Sequence, residues 1–226
     1  MDTIKLYRAD KRGNKTLPER FATDGLLTKQ IGSGDHPIPH EKYGWLNTIK
    51  AHIKYSNKAE KFIYDRTQYL SFTTDLEIAN KYLSTHENLM YQSSTKDTAE
   101  AYLFSATIKT AQIKQIEIGM YLYEFKCNYD KVKTDSNFYT PILSDFIKCN
   151  ICTNIANYHH SLILIDAKTY LSPHKDKFKE EYESAVCDKE WLILPADRMI
   201  EPHAIGFQAR IPIANFWEVD FYKYVK

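Results

Sequence analysis

Three short segments of the chain set polar side chains among bulky apolar neighbours. They are Leu6-Tyr7-Arg8-Ala9-Asp10, Tyr69-Leu70-Ser71-Phe72-Thr73-Thr74 and Asp188-Lys189-Glu190-Trp191. The polar groups are a lone guanidinium, a cluster of hydroxyls and a lone carboxylate, and burying any of them costs free energy unless it finds a partner. Three such segments in one chain indicate that these groups share one ligand.

Each segment alone also has an ordinary explanation. Arg8 would need a bidentate acceptor such as a pyrophosphate, unless it faces solvent from a strand edge. Ser71 and Thr73 share one face of a strand and could support a ribose or a catalytic carboxylate, or they could simply end the strand before a helix cap. Glu190, with Asp188 two residues earlier, is either a catalytic carboxylate at the mouth of an apolar strand or the last polar residue of a loop.

Composition describes an ordinary globular protein. The 226 residues are 43% hydrophobic and 26% charged, and the formal net charge is +1. A nearly neutral chain has no broad field for nucleic acid or an anionic membrane, so a nucleic-acid partner is disfavoured. No apolar run has the length of a membrane span, and the N-terminal residues lack the apolar segment of a signal peptide; we expect neither.

The cysteines do not form a disulfide framework in a chain of this length. They are Cys127, Cys149, Cys152 and Cys187. The pair at 149 and 152 could bind zinc if His159, His160 or Cys127 supplied further ligands. Reduced thiols are the favoured interpretation, and no metal is expected.

Hydrophobic periodicity and chain breakers predict the elements that must position the polar groups. Strands are expected at 4–9, 69–73, 101–107, 115–118, 120–127 and 191–194, with one or two more between 205 and 222. Residues 161–165 are either a buried strand or a helix end. Helices are expected at 17–25, 45–55, 76–83, 142–160 and 175–183, the third of them capped by Thr74 or Asp75. This order favours one α+β domain spanning residues 1–226 over alternating βαβ units.

Nucleotide-binding motifs of other folds are missing from the sequence. Gly32-Ser33-Gly34 lacks the third glycine of a dinucleotide fingerprint, because position 37 is proline. Neither a Walker motif nor a Gly-x-Ser-x-Gly elbow is present. If the protein binds a dinucleotide, we expect it to do so without a Rossmann fold.

Taken together, the segments resemble the Arg-Ser-Glu type of bacterial ADP-ribosyltransferase toxins, and in particular toxins of the pertussis type. The resemblance consists of separate islands that span most of the chain, with nothing similar at 84–118 or 140–185. The islands are Tyr7-Arg8-Ala9-Asp10-Lys11-Arg12, Leu17-Pro18-Glu19-Arg20-Phe21 with Gly25, Ser71-Phe72-Thr73, Tyr121-Leu122-Tyr123-Glu124-Phe125, Asn137-Phe138-Tyr139, and Glu190-Trp191-Leu192 with Ile200, Pro202 and Ile205.

The resemblance implies an ADP-ribosyltransferase-like split β-sandwich with helices flanking an NAD cleft. It implies that Arg8 binds the phosphates and ribose side of NAD, and that Ser71 holds the active-site strand and orients Glu190. Glu190 would bond the nicotinamide ribose 2′-hydroxyl and stabilise an oxocarbenium-like transition state, as in glycoside hydrolysis. Asp188, expected in a loop over roughly 172–189, would meet the acceptor.

Further residues follow from the same resemblance. His52 lies on the helix where the toxin carries a functional histidine, so it is either an accessory base or a structural histidine. Thr73 is expected beside the bound NAD, and Tyr82 or Tyr69 could stack on nicotinamide. The alternative for both tyrosines is a place in the core, where most aromatic residues at such spacing lie.

The implied function is mono-ADP-ribosylation of a protein side chain, with NAD as co-substrate. Relatives with glutamate two residues before the catalytic glutamate usually modify arginine, while those with glutamine modify other acceptors; Asp188 makes arginine the favoured acceptor here. The protein would be a toxin or effector present in the bacterial cytoplasm before secretion into a target or host cell. Three alternatives stay open: an NAD glycohydrolase, a transferase acting on a nucleic-acid base, and a non-catalytic NAD-binding module.

Overall fold

The structure is a computed structural model that describes residues 3–12, 26–27, 31–32, 39–67, 69–82, 100–126, 159–195, 200–203, 206–211 and 218–223. The strands are β1 (Thr3–Arg12), β2 (Leu26–Leu27), β3 (Ile31–Gly32), β4 (Leu70–Thr73), β5 (Glu100–Lys109), β6 (Ile113–Glu117), β7 (Met120–Lys126), β8 (His159–Asp166), β9 (Glu190–Pro195), β10 (Ile200–His203), β11 (Gly206–Ile211) and β12 (Glu218–Lys223). The helices are α1 (Pro39–Tyr43), α2 (Trp45–Ile53), α3 (Lys58–Tyr64), α4 (described over 76–82), α5 (Ala167–Leu171) and α6 (Lys179–Asp188).

The strands form a large antiparallel sheet and a small one. The large sheet has eight strands in the order β12-β5-β1-β4-β9-β8-β7-β6, and every neighbouring pair is antiparallel. The small sheet consists of β10, β11 and β2, with β3 also paired to β11. Helices and antiparallel strands in this arrangement confirm the predicted α+β class. Among the described helices, none is long and apolar enough to cross a membrane.

The large sheet curls around one of its own faces. The main hydrophobic cluster takes buried residues from β1, β4, β5, β7, β8 and β9, and no described helix contributes to it. Leu6 and Ile108 in one half of the sheet and Leu164 in the other half are fully buried. Within the described residues, strands alone cover these side chains, so the two halves of the sheet cover each other.

Helices cover the opposite face of the sheet beside β9. Ile49 of α2 packs with Ile165 of β8 and Leu192 of β9, and Trp45 borders the same cluster. Helices α5 and α6 meet through Ala167, Leu171 and Ala185 behind α2. Because side chains alternate along β9, Ile193 faces the curled interior while Leu192 faces the helices. The helix layer therefore lies on the face that carries Glu190.

Most of the predicted elements that lie within the described residues are confirmed. Residues 161–165 are a strand rather than a helix end, and Asp75 caps α4 by accepting hydrogen bonds from the main-chain nitrogens of Glu77 and Ile78. The predicted helix 17–25 and the similar segment 137–139 lie outside the described residues. The predicted helix 142–160 does so except for 159 and 160, which begin β8; for these two residues the prediction was wrong.

The predicted boundaries of the charged helix were also wrong. Residues 172–174 form a 3₁₀ turn, the helix begins at Lys179, and it continues to Asp188. The last turn is helical because Ala185 is buried against α5, a contact that the charged sequence did not reveal. Asp188 is consequently the last residue of a helix and does not lie in a loop.

Replacing Gly119 by alanine is predicted to destabilise the fold strongly. Gly119 turns the chain between β6 and β7 with φ of 74°, and a Cβ atom there would collide with the main chain of Tyr170. The positive φ alone costs about 1–3 kcal/mol for a non-glycine residue, and the collision adds to it. Gly44→Ala is the matched control, since Gly44 has φ of 79° but open space around it. Urea unfolding should show a clearly larger loss of stability for Gly119→Ala than for Gly44→Ala. Equal losses of stability would contradict the close approach of Gly119 to the main chain of Tyr170.

Candidate active-site cleft

Strand β4 is paired along its whole length with β9 but touches β1 at one position. Thr73 pairs with Tyr7 of β1, and this is the one pair between the two strands within the described residues. On the other side, the register runs from Leu70 opposite Ile193 to Thr73 opposite Glu190. The strands β1 and β4 therefore part beyond Tyr7, and a cleft opens between them.

Arg8 lies where the two strands part. Its Nη1 donates a hydrogen bond of 2.8 Å to the main-chain oxygen of Ser71, and its guanidinium carbon lies 6.0 Å from the ring centre of Phe72. Since β1 is an interior strand of the sheet, Arg8 is not a solvent-facing residue on a sheet edge. The divergence of β1 and β4 creates the space that a guanidinium needs.

The cleft encloses about 270 Å³. It is lined by β1, α2, β4, α4, the last residue of α6 and the first residue of β9. Seven residues expected at the site from the sequence lie on its wall: Arg8, His52, Ser71, Thr73, Tyr82, Asp188 and Glu190. Tyr69, the alternative to Tyr82 for stacking on nicotinamide, does not line the cleft and is buried in the core, so for this residue the prediction was wrong. Sequence reasoning missed the apolar part of the wall, which consists of Tyr7, Ala9, Ile53, Phe72 and Ala79. These residues carry no chemistry that would distinguish them from core residues in the sequence.

The carboxyl group of Glu190 is buried at the base of the cleft. The residue is 9% exposed, and residues directly opposite on paired strands share a face, so Glu190 and Thr73 point to the same side. Burial raises the pKa of Glu190 to about 7; the hydrogen bond with Ser71 and the charge of Arg8 lower this pKa, while the charge of Asp188 raises it. A carboxyl group with such a pKa can exist in either protonation state near neutral pH.

A chain of hydrogen bonds runs from Glu190 into the protein through Ser71 and His52. Ser71 is hydrogen-bonded to Glu190, and its Oγ lies 3.0 Å from Nε2 of His52. Nδ1 of His52 lies 2.7 Å from Oγ1 of Thr67, and the ring of Tyr69 packs edge-on against the imidazole. His52 thus lines the cleft and is also anchored on its far side. Neither Thr67 nor Tyr69 reaches the wall, and Thr67 was missed because nothing in the sequence marks it.

The mouth of the cleft is formed by α4 and the end of α6. Tyr82 donates a hydrogen bond of 2.8 Å to Oδ2 of Asp188, and burial together with this carboxylate raises the pKa of the Tyr82 phenol. Lys189 has a left-handed backbone with φ of 46°, and its Nζ lies 2.6 Å from Oδ2 of Asp75 at the start of α4. Both ends of the described part of α4 are therefore tied to the segment that precedes Glu190.

Thr73 has a structural role that is visible in the structure. Its Oγ1 accepts a hydrogen bond of 3.1 Å from the main-chain nitrogen of Asp75, so it helps to turn the chain from β4 into α4. The residue also lines the cleft next to Ser71. A contact between Thr73 and a ligand stays a prediction.

The part of the chain with described side chains contains no group of three histidine, cysteine, aspartate or glutamate residues arranged to hold a metal ion. Cys187 is a free, exposed thiol on α6. The side chains considered for zinc at 127, 149, 152, 159 and 160 lie outside the described residues.

Comparison with known proteins returns no match, either to a protein-family model or to a curated protein sequence.

Glu190→Gln is predicted to stabilise the protein at pH 8 more than at pH 5. The carboxyl group has a pKa of about 7 in the fold against 4.5 in the unfolded chain, so between these values the unfolded state loses its proton first. Stability of the parent protein therefore falls as pH rises through this window, by on the order of 2 kcal/mol, and the amide removes that loss. Urea unfolding of both proteins across pH 4.5–8 measures the difference.

Glu181→Gln is the control for this comparison. Glu181 is also 9% exposed and lies on α6 outside the cleft. If the difference in unfolding free energy between Glu190→Gln and the parent stays constant with pH, this would contradict a buried carboxyl group with a raised pKa. The same pH dependence in Glu181→Gln would show that the effect is not particular to the cleft.

Proposed function

We propose that the protein is a mono-ADP-ribosyltransferase that moves ADP-ribose from NAD to a protein side chain and releases nicotinamide. One observation carries the proposal: Arg8, Ser71 and Glu190, which lie 63 and 119 residues apart along the chain, meet in one cleft. These are the three residue types that the resemblance to the toxins requires. The parting of β1 from β4, with α2 and α6 on the helix face, is also what an ADP-ribosyltransferase-like split sheet would need.

The proposal assigns Arg8 to the phosphates of NAD. A guanidinium offers five N–H donors in a fixed plane, a geometry suited to phosphate oxygens. The bond from Nη1 to the main-chain oxygen of Ser71 holds this plane at the cleft, so the orientation does not have to be established when the ligand binds. Lysine would keep the positive charge but lose the planar geometry.

Glu190 is assigned to the nicotinamide ribose. The bond between nicotinamide and ribose breaks with positive charge on the sugar, and nicotinamide leaves as a neutral base. A carboxylate held in a water-poor site stabilises such a charge far better than one in bulk water. Ser71 orients Glu190 from β4, and the enclosed volume of about 270 Å³ suits one end of the dinucleotide rather than the whole molecule.

Asp188 and Tyr82 are assigned to the acceptor side chain. Asp188 lies at the cleft mouth with one carboxylate oxygen already fixed by Tyr82. A fixed carboxylate near the sugar would bind a guanidinium through charge-assisted hydrogen bonds, which favours arginine as acceptor. A host-directed toxin or effector that is secreted by a bacterium is the role that we attach to this activity.

Glu190→Gln is predicted to lower the rate of nicotinamide release by at least about 10²–10³-fold, the usual loss for one preorganised charged group. Chromatographic measurement of nicotinamide, with and without a host-cell lysate as acceptor, tests this. Glu181→Gln should keep near-parental activity. Arg8→Lys should raise the KM for NAD, because phosphate contacts act on binding. Near-parental turnover by Glu190→Gln would disprove the assignment.

The same assay separates transfer from hydrolysis. Labelled NAD should leave ADP-ribose on a lysate protein, and mass spectrometry then identifies the acceptor residue. Nicotinamide release with no labelled protein would make water the acceptor and the protein an NAD glycohydrolase. Label on added oligonucleotides would make a nucleic-acid base the acceptor, and absence of any NAD binding in calorimetry would contradict the proposal as a whole.

Asp188→Asn is predicted to impair the transfer of ADP-ribose to a protein acceptor while leaving the release of nicotinamide nearly unchanged. Asparagine can still accept the hydrogen bond from Tyr82, but it lacks the charge that would attract an acceptor guanidinium. Protein labelling should fall by at least about tenfold, while nicotinamide release into water should stay within a few-fold of the parent rate. An equal fall in both rates would show that Asp188 acts on the sugar and not on the acceptor.

A further inference from the structure

Thr67 is a buried residue that touches the site from behind without lining it. It follows α3, its side chain is 0% exposed, and its Oγ1 lies 2.9 Å from the main-chain oxygen of Tyr64 and 2.7 Å from Nδ1 of His52. A carbonyl oxygen can only accept a hydrogen bond, so the single hydroxyl hydrogen of Thr67 is donated to Tyr64. Toward His52, Thr67 can then only accept, and Nδ1 must carry a proton.

This proton on Nδ1 decides what happens at the other ring nitrogen. A neutral imidazole has one N–H group, so Nε2 of His52 is unprotonated and accepts a hydrogen bond from Ser71, whose Oγ lies 3.0 Å away. The Ser71 oxygen can then only accept from Glu190. Glu190 must supply a hydrogen, which means that it is a neutral carboxylic acid when His52 is neutral.

A second arrangement satisfies the same chain of contacts. If Glu190 is ionised, Ser71 donates to Glu190, and His52 carries protons on both nitrogens and donates to Thr67 and Ser71. Both arrangements contain the same number of protons, one of which belongs to Glu190 in the first and to His52 in the second. Loss of this proton leaves the single Ser71 hydrogen facing two acceptors, so one hydrogen bond is broken.

The charged and titratable groups around His52 and Glu190 are consistent with a proton shared between these two residues. Burial favours a neutral Glu190, as does the charge of Asp188, while Arg8 opposes it. The phenols of Tyr64 and Tyr69 border His52, and burial raises the pKa of each, so neither carries a charge near neutral pH. Tyr82 at the mouth is likewise held in its neutral form.

We propose that Thr67 is a positioning residue that holds His52 in the Nδ1-protonated tautomer, so that His52 and Glu190 keep one shared proton until a cationic ligand displaces it into solvent. This rests on the proposed function, in which the cation is the nicotinamide ring of NAD. A cation in the cleft favours the state with a net negative charge, neutral His52 with ionised Glu190, and that state is one proton poorer. Protons and NAD therefore compete for the cleft.

Nuclear magnetic resonance of the ligand-free protein tests the tautomer independently of any activity. Nitrogen shifts of the His52 ring should show the proton on Nδ1 where the imidazole is neutral, both in the parent protein and in Thr67→Ser. Thr67→Val removes the acceptor, and the proton should move to Nε2, which then donates to Ser71 and completes the chain to an ionised Glu190. A parent protein with the proton on Nε2, or a Thr67→Val protein with an unchanged tautomer, would overturn the proposal.

The same titration measures how tightly the shared proton is held. In the parent, the His52 ring and the Glu190 carboxyl carbon should titrate with a common midpoint. In Thr67→Val, this midpoint should fall by about one pH unit, since the deprotonated state now has a complete hydrogen-bond chain. Thr48→Val is the matched control: Thr48 is also 0% exposed and its hydroxyl contacts the phenol of Tyr69 at 2.7 Å instead of the imidazole. An equal fall in Thr48→Val would mean that any loss of packing moves the midpoint.

Competition between the proton and NAD is read from the pH profile of kcat/KM for nicotinamide release. Below the midpoint for the shared proton, kcat/KM should fall about tenfold per pH unit. The pH at which this fall begins should be lower in Thr67→Val but unchanged in Thr67→Ser and Thr48→Val. An unchanged pH in Thr67→Val would refute the role of Thr67. A parent protein that cleaves no NAD would instead contradict the proposed function, and the resonance titration would still decide on the tautomer.

Discussion

The unequal pairing of β4 is the constraint on which the rest of the structure depends. Four ladder positions join β4 to β9, which fixes Ser71 and Thr73 on the face that carries Glu190. Within the described part of the chain, a single pair, Tyr7 with Thr73, joins β4 to β1. Had the two strands stayed paired, the main-chain oxygen of Ser71 would face β1; as they part, that oxygen instead accepts a hydrogen bond from the guanidinium of Arg8. The same feature thus joins the halves of the curled sheet and opens the cleft between them.

Burial of a carboxyl group at this opening connects stability with chemistry. Glu190 is costly to ionise where it lies, and the hydrogen bond with Ser71 together with the charge of Arg8 offsets only part of that cost. Proteins tolerate such groups mainly where the same low-dielectric surroundings strengthen an interaction with a ligand. The contacts behind the carboxyl group, through His52 to Thr67, determine how its proton is shared and so extend the site one layer into the protein.

Local signals were sufficient for the elements that surround the site. Alternation of apolar residues predicted β1, short apolar segments predicted β4 and β9, and Asp75 was recognisable as the cap of α4, because these signals reside in neighbouring residues. The helix in the charged segment after Leu171 was harder to predict. The helix extends to Asp188, beyond its predicted end, because Ala185 packs on α5. Packing between separate helices cannot be predicted from the local sequence pattern.

The sequence alone marked Arg8, Ser71 and Glu190 as candidate site residues, because polar residues inside apolar strands are costly without a partner and because the surrounding segments resemble the toxins. It also determined the α+β class, since the order of short strands and helices is a local property. The tertiary structure decided that strands distant in sequence meet with these side chains on one cleft. It alone decided the role of Thr67, a residue of ordinary type in an ordinary position. Hydrogen bonds depend on distances of about 3 Å between atoms, and only the folded chain fixes such distances.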